Sequence, residues 1–263
     1  MKKILVLGSN NMAGHLIYNF LKEKNEFSLF GIKEEKFEVY SYSFSSKINR
    51  FNPDIIINAL RITVEKSEED PKRALFINSI IPKWLEKKFF KTKVKIIHLS
   101  TDCVFSGLIG NYVEDDLPDG KNVYSASKFL GEIINNKDLT IRTSYVGPNL
   151  KNKNEELFDW FLFLNQSKKV KGYKYALWNG ITTLELAKDI YLAIQLNISG
   201  LYHLVSDKKI SKFELLSLIN SIFKCDILIE ESKDEKLDRS LSDSRKIMPT
   251  KKHDIMFKEL YEY

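Results

Sequence analysis

VKIIHLSTDCVFSG, residues 94–107, starts as an apolar β run and changes character at Ser100, where small hydroxyls, an acid and a thiol arrive together. In an open α/β sheet, ligands bind in the crevice beyond the carboxyl ends of parallel strands, so polar residues at such an end are placed for chemistry. A strand that merely stops at a turn has similar letters, and the neighbouring segments decide between the two. Further strand-like runs stand at KILVLG (3–8), FSLFGI (27–32), DIIINAL (54–60), LTIRTS (139–144) and GLYHLVS (200–206), with helical periodicity between most of them. Continuous apolar strands alternating with amphipathic helices need a parallel sheet covered on both faces, which predicts an α/β doubly wound fold.

The bulk numbers agree. Of 263 residues, 43% are apolar and 12% aromatic, enough for a sizeable globular core. No apolar run reaches the roughly 18 residues of a membrane span, and Met1-Lys2-Lys3 leads straight into a strand, so no membrane partner and a cytoplasmic location are expected. Cys103 and Cys225 are too few for a disulfide framework, and the four histidines lack metal-ligand spacing, so no metal is expected. The net charge of +6 comes from 41 basic residues interleaved with 35 acidic ones. Mixed runs such as EESKDEK read as solvated faces, and nucleic acid is not an expected partner. After residue 145 the pattern loosens into helices at NEELFDWFLFLNQ and TLELAKDIYLAIQL, and Ser211 and Glu214 make a capping box that opens SKFELLSLINSIFK.

The first strand runs into GSNNMAGHLIYNFLKE, a turn feeding a helix whose free N–H groups can receive a pyrophosphate. Gly8 and Gly14 bound a degenerate glycine pattern, and Asn11 stands where a middle glycine is expected; Asn enters left-handed backbone more readily than other non-glycine residues, which would preserve the turn. Asn10 and Met12 belong to the same turn. An acid after the second strand suits a free ribose 2′-hydroxyl and a cation suits a 2′-phosphate. Ile32-Lys33-Glu34-Glu35 offers both, and because Lys33 comes first the reading leans to NADPH, with NADH left open. This predicts a dinucleotide-binding domain over 1–145, with part of 178–206 returning to it, and a smaller α-rich substrate lobe over 146–263.

In DGKNVYSASKFLGEII, Tyr124 precedes Lys128 by four residues, which puts both on one helical face. A phenol titrates near 10, and a nearby ammonium is expected to lower that value and make Tyr124 a usable acid or base. Thr101, at the end of the opening stretch, can share a carbonyl oxygen with it. Ser125 to Lys128 also spells S-x-x-K, but the S-D-N and K-T-G partners of that acyl-transfer chemistry do not occur.

STDCVFSG with GNYVEDDLP, VYSASKFLGE and IRTSYVG together resemble the extended short-chain dehydrogenase/reductases, specifically the dTDP-4-dehydrorhamnose reductase group of nucleotide-sugar reductases. The likeness extends to INALRITVEKSEEDP and GLYHLVSDKKISKFELL. It implies a Rossmann-like fold with Thr101, Tyr124 and Lys128 as the catalytic set. Asn58, Ala59, Leu60, Asn78 and Ser100 are then expected beside the cofactor. Asp102, Cys103, Val104, Phe105, Tyr145, Trp178, Asn179, Thr182 and Arg239 are expected around the substrate, with Arg245 a second candidate for its diphosphate. The implied reaction is hydride transfer from NAD(P)H to a nucleotide-linked 4-keto-6-deoxy sugar, in surface polysaccharide precursor synthesis, by a chain that can be a homodimer. Tyr145 replaces the family's tryptophan, and Asn11 its glycine. Two alternatives are a nucleotide-sugar epimerase and a partner-binding subunit like the regulatory subunit of methionine adenosyltransferase; retention of Thr101, Tyr124 and Lys128 together favours catalysis.

Overall fold

In a computed structural model that describes residues 1–37, 44–150, 156–164 and 169–263, every strand-like run of the sequence becomes a strand of one parallel sheet. The chain runs β1 (Lys2–Leu7), α1 (Met12–Glu23), β2 (Phe27–Ile32), α2 (Phe44–Phe51), β3 (Ile55–Asn58), α3 (Val64–Glu69), α4 (Pro71–Leu75), α5 (Ile81–Phe89), β4 (Lys95–Leu99), α6 (Val123–Leu130) and β5 (Leu139–Arg142). It continues through β6 (Tyr145–Val146), α7 (Leu157–Leu162), β7 (Lys169–Trp178), β8 (Ile181–Thr182), α8 (Thr183–Gln195), β9 (Gly200–His203), β10 (Ile210–Ser211), α9 (Lys212–Phe223), β11 (Leu228–Asp238) and α10 (His253–Glu262).

The six-stranded sheet has the order β2-β1-β3-β4-β5-β9, parallel throughout. Side chains alternate across it. Ile4, Val6, Ile57 and Ile97 join one apolar cluster with residues of α1 and α8, while Leu5, Leu7, Ile56 and Ile96 join a second with residues of α2 and α5. Burial on both faces is why these strands read as continuous apolar runs. The chain goes from β1 outward to β2 and then back to the far side of β1 with β3. This topological switch opens a crevice beyond the carboxyl ends of β1 and β3.

The β1–α1 turn is set by sterics. Gly8 lies at φ +78°, a region that suits glycine, and a Cβ on Gly14 would stand 2.1 Å from the Gly8 carbonyl oxygen. Asn11 corrects the expectation made for it: its backbone is extended, at φ −89° and ψ 176°, not left-handed. It holds the turn as a helix cap instead. Its Oδ1 accepts the Gly14 N–H at 2.8 Å and its Nδ2 donates to the Ala59 carbonyl at 2.7 Å, tying the turn to the end of β3. Asn11→Ala removes both bonds and is expected to cost about 2 kcal/mol. Thermal denaturation should then show Tm lower by roughly 4–8 °C.

Beyond β5 the chain builds a second layer and then returns. β9 pairs with β5 in the main sheet and α8 packs on α1. The rest of this half contains helices, including α9 with its capping box as expected, and also a three-stranded sheet, β10-β7-β11, that the sequence did not announce. The reason is the charge alternation in β7 and β11. Lys169, Lys171 and Lys174 pair across to Glu230, Asp234 and Glu231, so the run EESKDEK is both a solvated face and a strand. Residues 154, 155, 165 and 166 of the expected helix NEELFDWFLFLNQ lie outside the described residues. Among the described residues no helix is long and apolar enough to cross a membrane.

Candidate active site

The opening stretch does its work at the end of β4. There Ser100, Thr101, Asp102 and Cys103 line a cavity of about 170 Å³, with Met12, Ala59 and Leu60 from the switch crevice, Tyr124 and Lys128 from α6, and Tyr145 from β6. Local sequence explains why α6 faces this space. Asn122 caps it, with Oδ1 accepting the Ser125 N–H at 2.8 Å, and eight helical residues place Tyr124 and Lys128 one turn apart. Gly131 lets the helix end press on the preceding layer: a Cβ there would sit 1.9 Å from the Asn78 carbonyl oxygen. Asn78 completes the clamp, donating to Ser127 Oγ at 3.0 Å and accepting the Ile62 N–H at 3.0 Å.

Lys128 is 2% exposed and donates to the Leu99 carbonyl at 2.6 Å. Burial lowers its amine to about 7, against the pull of the Glu132 carboxylate and with help from the Arg61 cation. Tyr124, 6% exposed, moves the other way. Burial pushes its phenol above the ordinary value, and the opposing pulls come from Arg61 and a hydrogen bond with Thr101. This corrects the expected depression of the phenol by Lys128: the amine points at a backbone carbonyl and is half neutral near pH 7, so desolvation dominates. Tyr124 is therefore a protonated phenol at neutral pH, a donor ready for a developing alkoxide. Burial likewise pushes the Cys103 thiol up to about 12, which makes it a neutral wall and not a nucleophile.

Several expected contacts sit elsewhere. Val104 and Phe105 fall into a separate apolar cluster, with Phe105 stacked on Tyr112 at 4.2 Å, so neither faces the cavity. Trp178 is one step behind it, its Nε1 donating to Ser144 Oγ at 2.8 Å. Thr182 caps α8, and Asn179 is spent on the Leu241 backbone. Arg239 stands closer, its guanidinium on the Phe105 carbonyl and 3.6 Å from Cys103 Sγ. Arg245 reaches the Ser199 carbonyl, at the amino end of β9, and so lies at the wrong end of the sheet for the site. Asn58 is wholly buried, its Nδ2 paired with His98 Nδ1 at 3.0 Å. Of the cavity residues outside the expected set, which include Val64, Leu99, Thr143 and Ser144, two are charged: Arg61, just past β3, and Glu156, joined in an ion pair. The signal was a lone cation in the apolar run IINALRI; its partner 95 residues on carried none.

A dinucleotide fits the switch crevice. The glycines at 8 and 14 keep the turn tight, and Asn11 takes only the Gly14 N–H, so the first-turn N–H groups of Met12 and Ala13 point out of α1 as phosphate receivers do. Asn10 engages the end of β2, donating to Glu35 and accepting the Glu34 N–H, while Lys33 beside them is exposed.

Residues 1–241 match the family described as RmlD substrate binding domain. The chain belongs to that family. Among similar proteins, the spore coat polysaccharide biosynthesis protein SpsK of Bacillus subtilis is 31% identical over 56% of this chain and 54% of its own. The dTDP-4-dehydrorhamnose reductase of Salmonella typhimurium is 30% identical over 60% of this chain and 56% of its own. The matches thus span little more than half the length of these relatives. Methionine adenosyltransferase 2 subunit beta of Xenopus tropicalis is 23% identical over 84% of this chain and 72% of its own. In fold, the dTDP-4-dehydrorhamnose reductase of Bacillus anthracis, solved in complex with NADP, superposes with a TM-score of 0.87 at 20% identity, covering 100% of this chain and 99% of that one.

Proposed function

We propose that this RmlD-family chain is an NADPH-dependent reductase of a nucleotide-linked 4-keto-6-deoxy sugar. The observation that carries the reading is the convergence of Thr101, Tyr124 and Lys128 on one cavity at the mouth of the sheet, beside a turn that fits a dinucleotide. When bound, a reduced nicotinamide supplies the hydride. The chain supplies the rest: Tyr124 donates its phenolic proton to the carbonyl oxygen, and the Thr101 hydroxyl, which donates to Asp102 Oδ1 at 3.1 Å in the free chain, turns to share that oxygen. Arg61, whose charge pulls the phenol toward ionisation, stabilises the phenolate left behind, and Lys128 adds a cation to the cavity wall when protonated. Exposed Lys33, next to a Glu35 already engaged by Asn10, favours a ribose 2′-phosphate over a free hydroxyl. The likeness to SpsK supports a place in polysaccharide precursor synthesis, and the Bacillus anthracis complex supports NADP.

A screen of NADPH and NADH consumption against dTDP- and UDP-linked 4-keto sugars tests the reading, with one turned-over sugar as the expected result. The long match to the methionine adenosyltransferase subunit favours a second reading, a dinucleotide-binding partner subunit. Tight NADPH binding with no consumption across the whole panel would decide for that reading.

A further inference from the structure

Arg61 and Glu156 close the reaction cavity from outside the expected catalytic set. Arg61 follows β3, Glu156 opens α7, and each side chain is only 17% exposed. The guanidinium also stands over the Tyr145 ring, 5.7 Å from its centroid. A space of about 170 Å³ is well below the ~300–1,000 Å³ of pockets that enclose a drug-sized ligand. It therefore admits one ring of a nucleotide sugar and not the whole molecule, and a ring whose carbonyl reaches Tyr124 and Thr101 shares that space with the ion pair.

We propose that the Arg61–Glu156 pair is a specificity element: with the guanidinium charge already spent on Glu156, it accepts an uncharged hexose ring and turns away one bearing a carboxylate. The proposal rests on the reading of this cavity as a sugar site. A guanidinium has five N–H donors in a planar fork, so Arg61 can hold Glu156 and still present donors to neutral ring oxygens. A uronate ring has no such place. It meets the Glu156 carboxylate at close range with little water between them, and must displace it from Arg61 before gaining anything.

The experiment uses the full chain with NADP⁺ bound and measures, by calorimetry, the Kd of two ligands that differ only at C6: UDP-glucose and UDP-glucuronate, repeated with the dTDP forms. The unaltered protein is expected to bind the glucose form at least ~10-fold more tightly. Glu156→Gln frees the Arg61 charge and should erase or reverse that ratio, while the neutral pair Arg61→Gln/Glu156→Gln should restore a preference for the glucose form. Should thermal melting show that Glu156→Gln does not fold, Arg61→Gln supplies the opposite sign, moving the ratio further against the uronate. A ratio unchanged in the folded variant, or a preference of the unaltered protein for the uronate, overturns the proposal. Failure of every nucleotide sugar to bind, with no NADPH consumed in the screen, instead overturns the reductase reading beneath it.

Discussion

Tyr124→Phe is expected to lower kcat by about 10²–10⁴-fold, the usual loss when a positioned proton donor is removed. Dinucleotide affinity should change little, because the ring that packs beside the crevice is kept and only its hydroxyl goes. The phenol is buried and held neutral, so the substitution deletes no charge, and its structural cost is one hydrogen bond with Thr101, about 1 kcal/mol. A folded, NADPH-binding variant with near-normal turnover would remove Tyr124 from the mechanism. The pH profile adds a second reading of the same site. With the phenol raised above its ordinary value, Tyr124 remains a proton donor across the neutral range, and the group that titrates there is Lys128, at about 7. A charged Lys128 adds a cation to the wall of the cavity in which the carbonyl oxygen gains negative charge, so kcat/KM for reduction should rise as pH falls through about 7. That slope should vanish in Lys128→Met.

The sequence carried the scaffold because the scaffold is built from local regularities. Six apolar runs, all but the edge strand β2 buried on both faces, call for a covered parallel sheet, and the Asn122 cap ahead of Y-x-x-x-K makes that spacing one turn of helix. What it hid was of another kind. Residue type does not fix a dihedral angle, so Asn11 was legible as a substitute for glycine but not as an extended cap that reaches Ala59. Charge alternation looks the same on an exposed strand as on any wet surface, which concealed β7 and β11. The Arg61–Glu156 pair closes across 95 positions, and a contact of that range leaves no mark in either neighbourhood. The downstream candidates fared worst for a related reason. Trp178, Asn179 and Thr182 do return toward the site, yet their polar atoms are taken by Ser144, by the Leu241 backbone and by the α8 cap. Proximity of chain was readable there, and the destination of each side chain was not.

The other large expected effect lies beneath the cavity floor. Glu132 follows Lys128 by one turn and is 3% exposed; Arg142, 2% exposed, grips both its oxygens at 2.8 Å, and Ser100 Oγ donates to one of them at 2.7 Å. Glu132→Gln leaves the Arg142 charge buried without its partner, which is expected to cost about 3–5 kcal/mol. Tm should fall by roughly 6–20 °C. The same change withdraws the one carboxylate that pulls the Lys128 amine upward, so that amine should titrate still lower, as ¹³C-labelled lysine NMR can follow. Its folded value already lies below the ordinary 10.5, so the unfolded chain binds more protons between about 7 and 10.5, and this group's contribution to stability grows as pH rises across that window. In Glu132→Gln the window should extend further toward acid. A melting temperature within about 2 °C of the parent would contradict the buried pair as a stabilising element. The apolar pair Glu132→Leu/Arg142→Met separates the two roles. Replacing both charges removes the orphan and should recover much of the lost stability, yet Ser100 and Lys128 stay without their carboxylate, so the titration of Lys128 should remain displaced even in the variant that melts like the parent.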